Sequence, residues 1–259
     1  MNILCVGDVV GEVGCAYLAR RLPHIKKQKS VDLVICNGEN SAVGNGITPV
    51  SARNLFACGV DVITTGNHVF RRREVYPLLE ENPRVLRPAN FPPAAAGKGY
   101  ALVDMGFALV AVINLMGNVY MSEDLPSPLD TADALLQKAK EDGAAVTLID
   151  FHAEATAEKR ALGFYLDGRV SVVFGTHTHV PTADEQILPG QTGYVTDLGM
   201  VGPINSILGV KTEQILDRMR RKMPIRFETA EGDCSLGACL FSIDHKTGRA
   251  TAVERIPQV

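Results

Sequence analysis

The chain has 259 residues, of which 46% are hydrophobic and 21% are charged. These proportions are ordinary for a globular protein, and a chain of this length buries enough surface to fold without disulfides or a structural metal. Lysine and arginine number 26 against 29 aspartate and glutamate, which gives a net charge of −3. That balance argues against extended nucleic acid and against an anionic membrane as partners.

The cysteines and the N-terminus favour a cytoplasmic protein. None of the six cysteines forms a CxxC pair, and Cys5 and Cys36 lie inside apolar runs, where cysteine is usually a small core residue. The first residues enter a strand-like run directly, without the pattern of a signal peptide. No apolar stretch approaches the roughly 20 residues that a helix needs to cross a bilayer.

The first part of the chain alternates strands with helices. Apolar β-branched runs predict strands at Ile3–Val6, Val31–Cys36 and Val60–Thr64. Helices are predicted between them at Cys15–Lys29 and Thr48–Cys58. Thr48 and Pro49 suit the N-cap and first turn of the second helix. This alternation predicts parallel strand pairs joined by crossover helices.

The second part mixes hairpins with further strand and helix units. Residues 100–114 predict a hairpin that turns at Met105-Gly106. The next elements are a helix, a strand, a helix and a strand, at Asp130–Gly143, Ala145–Ile149, Ala153–Leu166 and Val170–Phe174. The remainder is mostly strand-like, with a helix near Lys211–Lys222 and a terminal hairpin that pairs Gly237–Ile243 with Thr251–Ile256. No linker is evident, so we predict one α/β domain over residues 1–259, with a boundary near Gly97 as the alternative.

Five apolar runs are each followed by polar residues. These segments are Gly7-Asp8, Gly38-Glu39-Asn40, Gly66-Asn67-His68, Asp150-Phe151-His152 and Gly175-Thr176-His177-Thr178-His179. In an α/β sheet such loops meet at one edge, where ligands bind. Taken singly, Asp8 could be a helix cap, Asn67 a turn residue and His152 a buried structural histidine. Together they predict a metal site, and their oxygen and imidazole ligands suit Mn, Fe or Zn.

The spacing of these residues suggests two ions. Glu39 has two carboxylate oxygens and could bridge them. If His177 and His179 both continue the preceding strand, they project to one side and each can face one ion. The glycines of these segments permit tight turns and close backbone approach. The spacing excludes other kinds of site. The chain has no GxGxxG or Walker A lysine of a nucleotide-binding loop and no GxSxG of a serine hydrolase.

These segments resemble the blocks of the calcineurin-like metallophosphoesterase superfamily. Three positions depart from its pattern: Val10 replaces a metal-binding histidine, Glu39 replaces the bridging aspartate, and Val69 replaces an acid. With these departures, the whole chain resembles the bacterial YmdB-like phosphodiesterases, from Gly-Asp-Val-Val-Gly through Asn-Gly-Glu-Asn, Thr-Thr-Gly-Asn-His and Asp-Phe-His-Ala-Glu-Ala-Thr to Gly-Thr-His-Thr-His-Val-Pro-Thr-Ala-Asp.

The resemblance implies a fold and an activity. The implied fold is a four-layered α/β/β/α sandwich of two mixed sheets flanked by helices. The implied enzyme is a homo-oligomeric phosphodiesterase for 2′,3′-cyclic nucleotides such as 2′,3′-cAMP, with two iron or manganese ions that activate a hydroxide for attack. The implied metal ligands are Asp8, Glu39, Asn40 and His179 for one ion, and Glu39, Asn67, His152 and His177 for the other, with Asn40 in place of the missing histidine. His68 is the implied general acid.

Several alternatives stay open at this point. The same metals could serve a phosphomonoesterase or 5′-nucleotidase, a slow nucleotide-binding regulatory protein, or a nuclease acting on short RNA ends. The loop Leu115–Asp124 could cap the site and stack a base on Tyr120, although a packing role for Tyr120 is equally open. Arg71–Arg73 could attract phosphate or could form a solvated helix start.

Overall fold

The structure is a computed structural model that describes residues 1–257. Gln258 and Val259, which belong to the predicted domain 1–259, lie outside the described residues. The described strands are β1 Asn2–Val6, β2 Asp8–Val9, β3 Leu33–Asn37, β4 Val62–Thr64, β5 Tyr100–Asp104, β6 Leu109–Met116, β7 Val146–His152, β8 Val172–Thr176, β9 Gln186–Ile187, β10 Gly193–Val195, β11 Met200–Pro203, β12 Cys234–Leu236, β13 Ala238–Asp244 and β14 Arg249–Arg255. The described helices are α1 Gly11–Gln28, α2 Pro49–Ala57, α3 Tyr76–Glu81, α4 Pro128–Glu141, α5 Thr156–Tyr165 and α6 Thr212–Arg221, with a 3₁₀ turn at Arg73–Val75.

Two large sheets are both mixed. The first has five strands in the order β14-β13-β1-β3-β4, and the second has six in the order β5-β6-β7-β8-β10-β9. In the first sheet, the parallel strands β1-β3-β4 form one side and the antiparallel strands β13 and β14 the other. In the second, the parallel strands β6-β7-β8-β10 lie between the antiparallel edge strands β5 and β9. A third sheet, β12-β11-β2, was not predicted, because its strands are only two to four residues long.

The buried residues of each strand alternate between two core layers. In β1, Ile3 and Cys5 face the second sheet, while Leu4 and Val6 pack with α1 and α2. In the second sheet, Val112 lies in the layer between the two sheets. The residues next to it in the chain lie on the other face and pack with α4 and α5. Strands that are buried on both faces read as continuous apolar runs, which is why they were recognised in the sequence. The predicted α/β/β/α arrangement is confirmed.

Most element predictions are confirmed, although several boundaries move. Thr48 caps α2: the amide of Ser51 donates to Thr48 Oγ1 at 3.1 Å, and the amide of Thr48 donates to Ser51 Oγ at 3.0 Å. Both predicted hairpins form, as β5–β6 and β13–β14. Helix α1 begins at Gly11 rather than at Cys15, and the short helix α3 was missed. Within residues 1–257, no helix is long and apolar enough to span a membrane.

Candidate metal centre

The carboxyl ends of five strands bring all eight predicted site residues together. Asp8 follows β1, Glu39 and Asn40 follow β3, Asn67 and His68 follow β4, His152 ends β7, and His177 and His179 follow β8. The edges of both large sheets therefore contribute to one site, with the first sheet providing the acidic and amide groups and the second providing three imidazoles.

Glu39 lies at the middle of this group and is buried. Its Oε1 lies 3.1 Å from Nε2 of His152 and 3.3 Å from Nδ1 of His68. Its Oε2 accepts a hydrogen bond from the backbone amide of His68 at 2.9 Å. The side chain of Asn40 also reaches Oε1, at 3.4 Å. Glu39 is thus placed to be shared between two sets of ligands.

The inner group consists of Asn67, His152 and His177. Nε2 of His152 lies 3.0 Å from Asn67 Oδ1 and 3.0 Å from His177 Nδ1, in addition to its contact with Glu39. A ring nitrogen carries at most one hydrogen, so it cannot bond to three such neighbours. Converging lone pairs of this kind suit a cation, and one ligand atom each from Glu39, His152 and His177 lies within 4.8 Å of the others.

The outer group consists of Asp8, Asn40 and His179. Nε2 of His179 lies 3.6 Å from Asp8 Oδ1 and 3.2 Å from the Asn40 amide nitrogen. Among the described residues, Asp8 Oδ1 is buried without a hydrogen-bond partner. A buried carboxylate oxygen without a partner is costly, and a bound cation would satisfy it. The residues present therefore fit a second ion at this position.

Each imidazole of His152, His177 and His179 is oriented by a contact of the ring nitrogen that faces away from the centre. Thr176 donates its hydroxyl hydrogen to Asp150 at 2.7 Å, so this hydroxyl accepts from Nδ1 of His152 at 2.9 Å. Nε2 of His177 lies 3.2 Å from a carboxylate oxygen of Glu154, and Nδ1 of His179 lies 3.0 Å from the carbonyl oxygen of Leu208. Each acceptor fixes a hydrogen on the outer nitrogen and leaves the inner nitrogen with its lone pair facing the centre.

The site has a strongly negative electrostatic character. Burial works to lower the pKa of His152, but the carboxylates of Glu39, Asp8 and Asp150 together outweigh it and raise that pKa to about 9, so a cation that binds Nε2 would displace a proton. Burial and the neighbouring His152 lower the pKa of His177 to about 4, which leaves this ligand-type nitrogen unprotonated at neutral pH. The carboxylates that favour a charged His152 are also those that attract a cation.

The prediction that His177 and His179 continue a strand is wrong. Strand β8 ends at Thr176, and the two histidines have positive φ values of 100° and 64°. Such a conformation is strained for a residue with a side chain, and it persists only where surrounding contacts enforce it. The strained loop turns His177 to the inner group and His179 to the outer group.

A buried ion pair fixes the backbone around His177. The side chain of Lys159 is 2% exposed. Its Nζ lies 2.7 Å from Asp197 Oδ2 and donates to the carbonyl oxygen of Thr176 at 2.8 Å. The same Asp197 oxygen accepts from the amide of Thr178 at 3.2 Å. Lys159 and Asp197 therefore hold the two peptide groups on either side of His177.

Gly66 allows the two sheets to approach each other at the centre. A Cβ atom at this position would overlap the imidazole ring of His152. The backbone at Gly66 does not have a positive φ, so the close approach of His152, rather than a turn, requires glycine here.

The centre opens into a cleft of about 280 Å³ that includes residues missed in the sequence. Glu154, Leu208, Phe227 and their neighbours line it together with the candidate ligands. Phe227 follows none of the strand ends that defined the motifs, so no local signal marked it. Tyr120 is 86% exposed, which contradicts a packing role, and it is not part of the described lining.

The basic run Arg71–Arg73 lies beside the loop that follows Glu39 and Asn40. The guanidinium of Arg72 donates to the backbone carbonyls of Val43 and Asn45, the latter at 3.2 Å. The short 3₁₀ turn begins at the end of the run. Arg72 thus stabilises a loop at the rim of the cleft.

Comparison with solved structures defines the class of protein. A putative 5′-nucleotidase from Staphylococcus aureus superposes with a TM-score of 0.62 at 15% identity, over 100% of this chain and 55% of that one, which shows a shared fold. A structure described as a novel phosphatase from Mycoplasma pneumoniae superposes with a TM-score of 0.92 at 31% identity, over 100% of this chain and 94% of that one. The fold shared with this phosphatase, together with the candidate metal site, places the chain in the class of phosphoesterases.

The sequence assigns the family within that class. It matches the YmdB-like protein family over residues 4–256. A relative from Bacillus subtilis (strain 168), named 2′,3′-cyclic-nucleotide 2′-phosphodiesterase, is 43% identical over 256 residues, covering 99% of this chain and 96% of the relative. The chain belongs to the YmdB-like family, as its motifs predicted, and it is a hydrolase of phosphoric esters.

Proposed function

We propose that the protein is a dinuclear phosphodiesterase that opens 2′,3′-cyclic nucleotides, with 2′,3′-cAMP as a representative substrate. The relative from Bacillus subtilis carries the name of this activity. The observation that carries the proposal is the position of Glu39, whose carboxylate lies between two groups of ligand atoms. A shared carboxylate between two ligand sets is the arrangement that a two-metal site needs.

The proposed ligands are those predicted from the sequence. Asp8, Asn40 and His179 would hold the outer ion, Asn67, His152 and His177 the inner ion, and Glu39 would bridge them. The mixture of carboxylate, amide and imidazole suits Mn, Fe or Zn, and the resemblance to the YmdB-like phosphodiesterases implies iron or manganese. Bound there, two such ions would lower the pKa of a water molecule and offset charge on the phosphate.

His68 is the proposed general acid. Its Nδ1 lies 3.0 Å from Asn40 Oδ1, and its backbone amide is bonded to Glu39, so the ring is held at the mouth of the centre. With Nδ1 engaged, Nε2 is the nitrogen left for proton transfer to the departing ribose oxygen. His68 borders the cleft and is partly exposed, as a residue that meets substrate must be.

Two further proposals concern organisation. Because the two large sheets share one buried layer, we propose that residues 1–259 act as a single metallophosphoesterase domain. We also propose a homo-oligomer, which the apolar side chains Leu216, Met219 and Met223, all more than half exposed, support. Light scattering at several protein concentrations would measure the molecular mass and test the oligomer directly.

The phosphomonoesterase is the second candidate function, since the relative from Mycoplasma pneumoniae is described as a phosphatase. The two candidates share a metal site, so only substrates distinguish them.

The deciding experiment combines metal analysis with a substrate panel. The protein is purified without chelator, its metals are quantified, and hydrolysis of 2′,3′-cAMP, 3′,5′-cAMP and 3′-AMP is compared, with Glu39→Ala as control. About two transition-metal ions per chain and Glu39-dependent opening of the 2′,3′ ring would support the proposal. Activity on 3′-AMP alone would support the metal site and show that the substrate is a phosphomonoester. No bound metal, and none taken up from added Mn or Fe, would refute the dinuclear centre.

A further inference from the structure

The cleft above Glu39 has two unlike walls. One wall carries the candidate ligands and His68, and the other is made of residues 208–210 and 227–229. The two segments of the second wall pair with each other: the amide of Lys211 donates to the carbonyl of Glu228 at 3.1 Å, and that of Ala230 donates to the carbonyl of Gly209 at 2.9 Å. The bond between His179 and the carbonyl of Leu208 fixes this wall relative to the metal centre.

Phe227 is the aromatic residue of the second wall. Among the lining residues that the structure describes, no other is phenylalanine, tyrosine or tryptophan. Its side chain is half-buried, and none of the described core clusters includes it. The guanidinium of Arg218 lies over the ring, 5.0 Å from its centroid. Apart from this contact with Arg218, the ring borders a polar cleft without joining a described core cluster, and such a ring suits an aromatic ligand.

We propose that Phe227 is the platform on which the nucleobase of the substrate stacks; this inference rests on the proposed function. The phosphate would bind at the centre and the base would cross the cleft to the second wall. The described lining of the cleft has three carboxylates, and all are engaged: Glu39 belongs to the candidate metal centre, Glu228 lies 2.5 Å from Lys211 and Glu154 lies 3.2 Å from His177. The base is therefore bound by stacking on its flat face rather than by hydrogen bonds to its edge. All bases are accepted, and purines, which have the larger face, bind more tightly.

The test separates the base from the cyclic ester. Phe227→Ala, Phe227→Leu and Phe227→Trp are compared with wild type on 2′,3′-cAMP, 2′,3′-cUMP and glycerol 1,2-cyclic phosphate, which has the five-membered ester without a base. Tyr120→Ala is the matched control, since Tyr120 is an exposed aromatic outside the described lining.

Loss of the ring should affect only substrates that have a base. We expect Phe227→Ala to raise KM for 2′,3′-cAMP by roughly 5- to 150-fold, the range of one lost base stack. The KM for 2′,3′-cUMP should rise less, and kcat/KM for glycerol 1,2-cyclic phosphate should stay unchanged. Phe227→Leu should behave like Phe227→Ala although it keeps the apolar bulk, while Phe227→Trp and Tyr120→Ala should retain the wild-type KM.

Other outcomes overturn the proposal. An equal loss on glycerol 1,2-cyclic phosphate would make the ring a support of the fold or the centre. No change in any Phe227 variant would place the base elsewhere, and a base-specific loss in Tyr120→Ala would place it there. Wild-type protein that opens neither cyclic ester would refute the proposed function, whereas active wild type with unchanged Phe227 variants would refute the platform alone.

Discussion

The inner and outer groups of the metal centre are supported by different kinds of contact. In the inner group, His152 is fully buried and bonded to Thr176, which is bonded in turn to the buried Asp150. The buried pair of Lys159 and Asp197 holds the loop of His177. These supports are side chains from the interior of the second sheet and from α5, so the inner ligands are fixed by the fold.

The outer group depends more on a loop and on its own ligand atoms. His179 is oriented by the backbone carbonyl of Leu208, a residue that is 47% exposed and has a positive φ of 53°. In the described part of the chain, the buried Oδ1 of Asp8 has no hydrogen-bond partner. In the proposed dinuclear site, the fold thus prearranges one position, and a bound cation would complete the other.

The largest effect should come from removing one imidazole from each group. His152→Ala should lose both ions and reduce activity on the order of 10³-fold or more, because Nε2 of His152 contacts the bridging Glu39 as well as its own group. His179→Ala should keep the inner ion. Elemental analysis would measure the metal content of the purified variants, and initial rates would measure their activity. Equal loss of metal in both variants would show that the inner and outer groups do not differ in this way.

His68 tests whether chemistry can be separated from metal binding on the outer side. His68→Ala should lower kcat by about 10²–10⁴-fold, the usual contribution of a placed general acid, with metal content unchanged. His24→Ala, an exposed position on α1, is the control. Parallel loss of metal and kcat would make His68 a ligand or a structural residue instead.

The ion pair behind His177 should matter for both stability and the inner ion. Lys159→Met leaves Asp197 charged and buried, with only amide donors, and should cost about 3 kcal/mol of the free energy of unfolding. For a chain of this length that corresponds to a fall in Tm of roughly 6–12 °C.

The same variant should weaken inner-ion affinity about 10- to 100-fold, as loss of a ligand-orienting contact does. Adding Asp197→Asn should restore part of the Tm, because the unpaired charge is gone. Thermal unfolding and metal titration would measure the two effects, and an unchanged metal affinity would limit the pair to a structural role.

The smallest effect is expected at Glu154, which orients His177 from the solvent side and is 48% exposed. Glu154→Gln keeps an acceptor for Nε2 of His177 and removes the charge. Inner-ion affinity should fall by less than about fivefold, as for an exposed pair, and the difference should shrink at high salt. A larger loss would show that the inner group depends on its exposed rim as well as on buried contacts.

Much of this arrangement was predictable because it follows from strand ends. Parallel strands buried on both faces gave continuous apolar runs, and the polar residues after them had to meet at the sheet edges. All eight predicted site residues are indeed close together. The capping of α2 by Thr48 was predictable for a similar reason, since cap and first turn are adjacent in sequence.

The features that could not be predicted depend on contacts between residues that are far apart in the chain. The positive φ of His177 is held by Lys159 and Asp197, one earlier and one later in the chain. Phe227 reaches the cleft through pairing between residues 209–211 and 228–230. Helix α1 begins at Gly11, with a φ of 62°, four residues before the predicted start at Cys15.

The position of β1 has a consequence for how the protein is made. This first strand lies between β3 and β13, and β2, which carries Asp8, pairs with β11. A ribosome that adds about 5–20 residues per second needs roughly 10–50 s to reach β13 after β1 has emerged. Throughout that interval one edge of β1 is open to pairing with other chains. The first sheet therefore stays incomplete until β13 has been made, and shielding of the β1 edge during that interval is the demand that this topology makes on the cell.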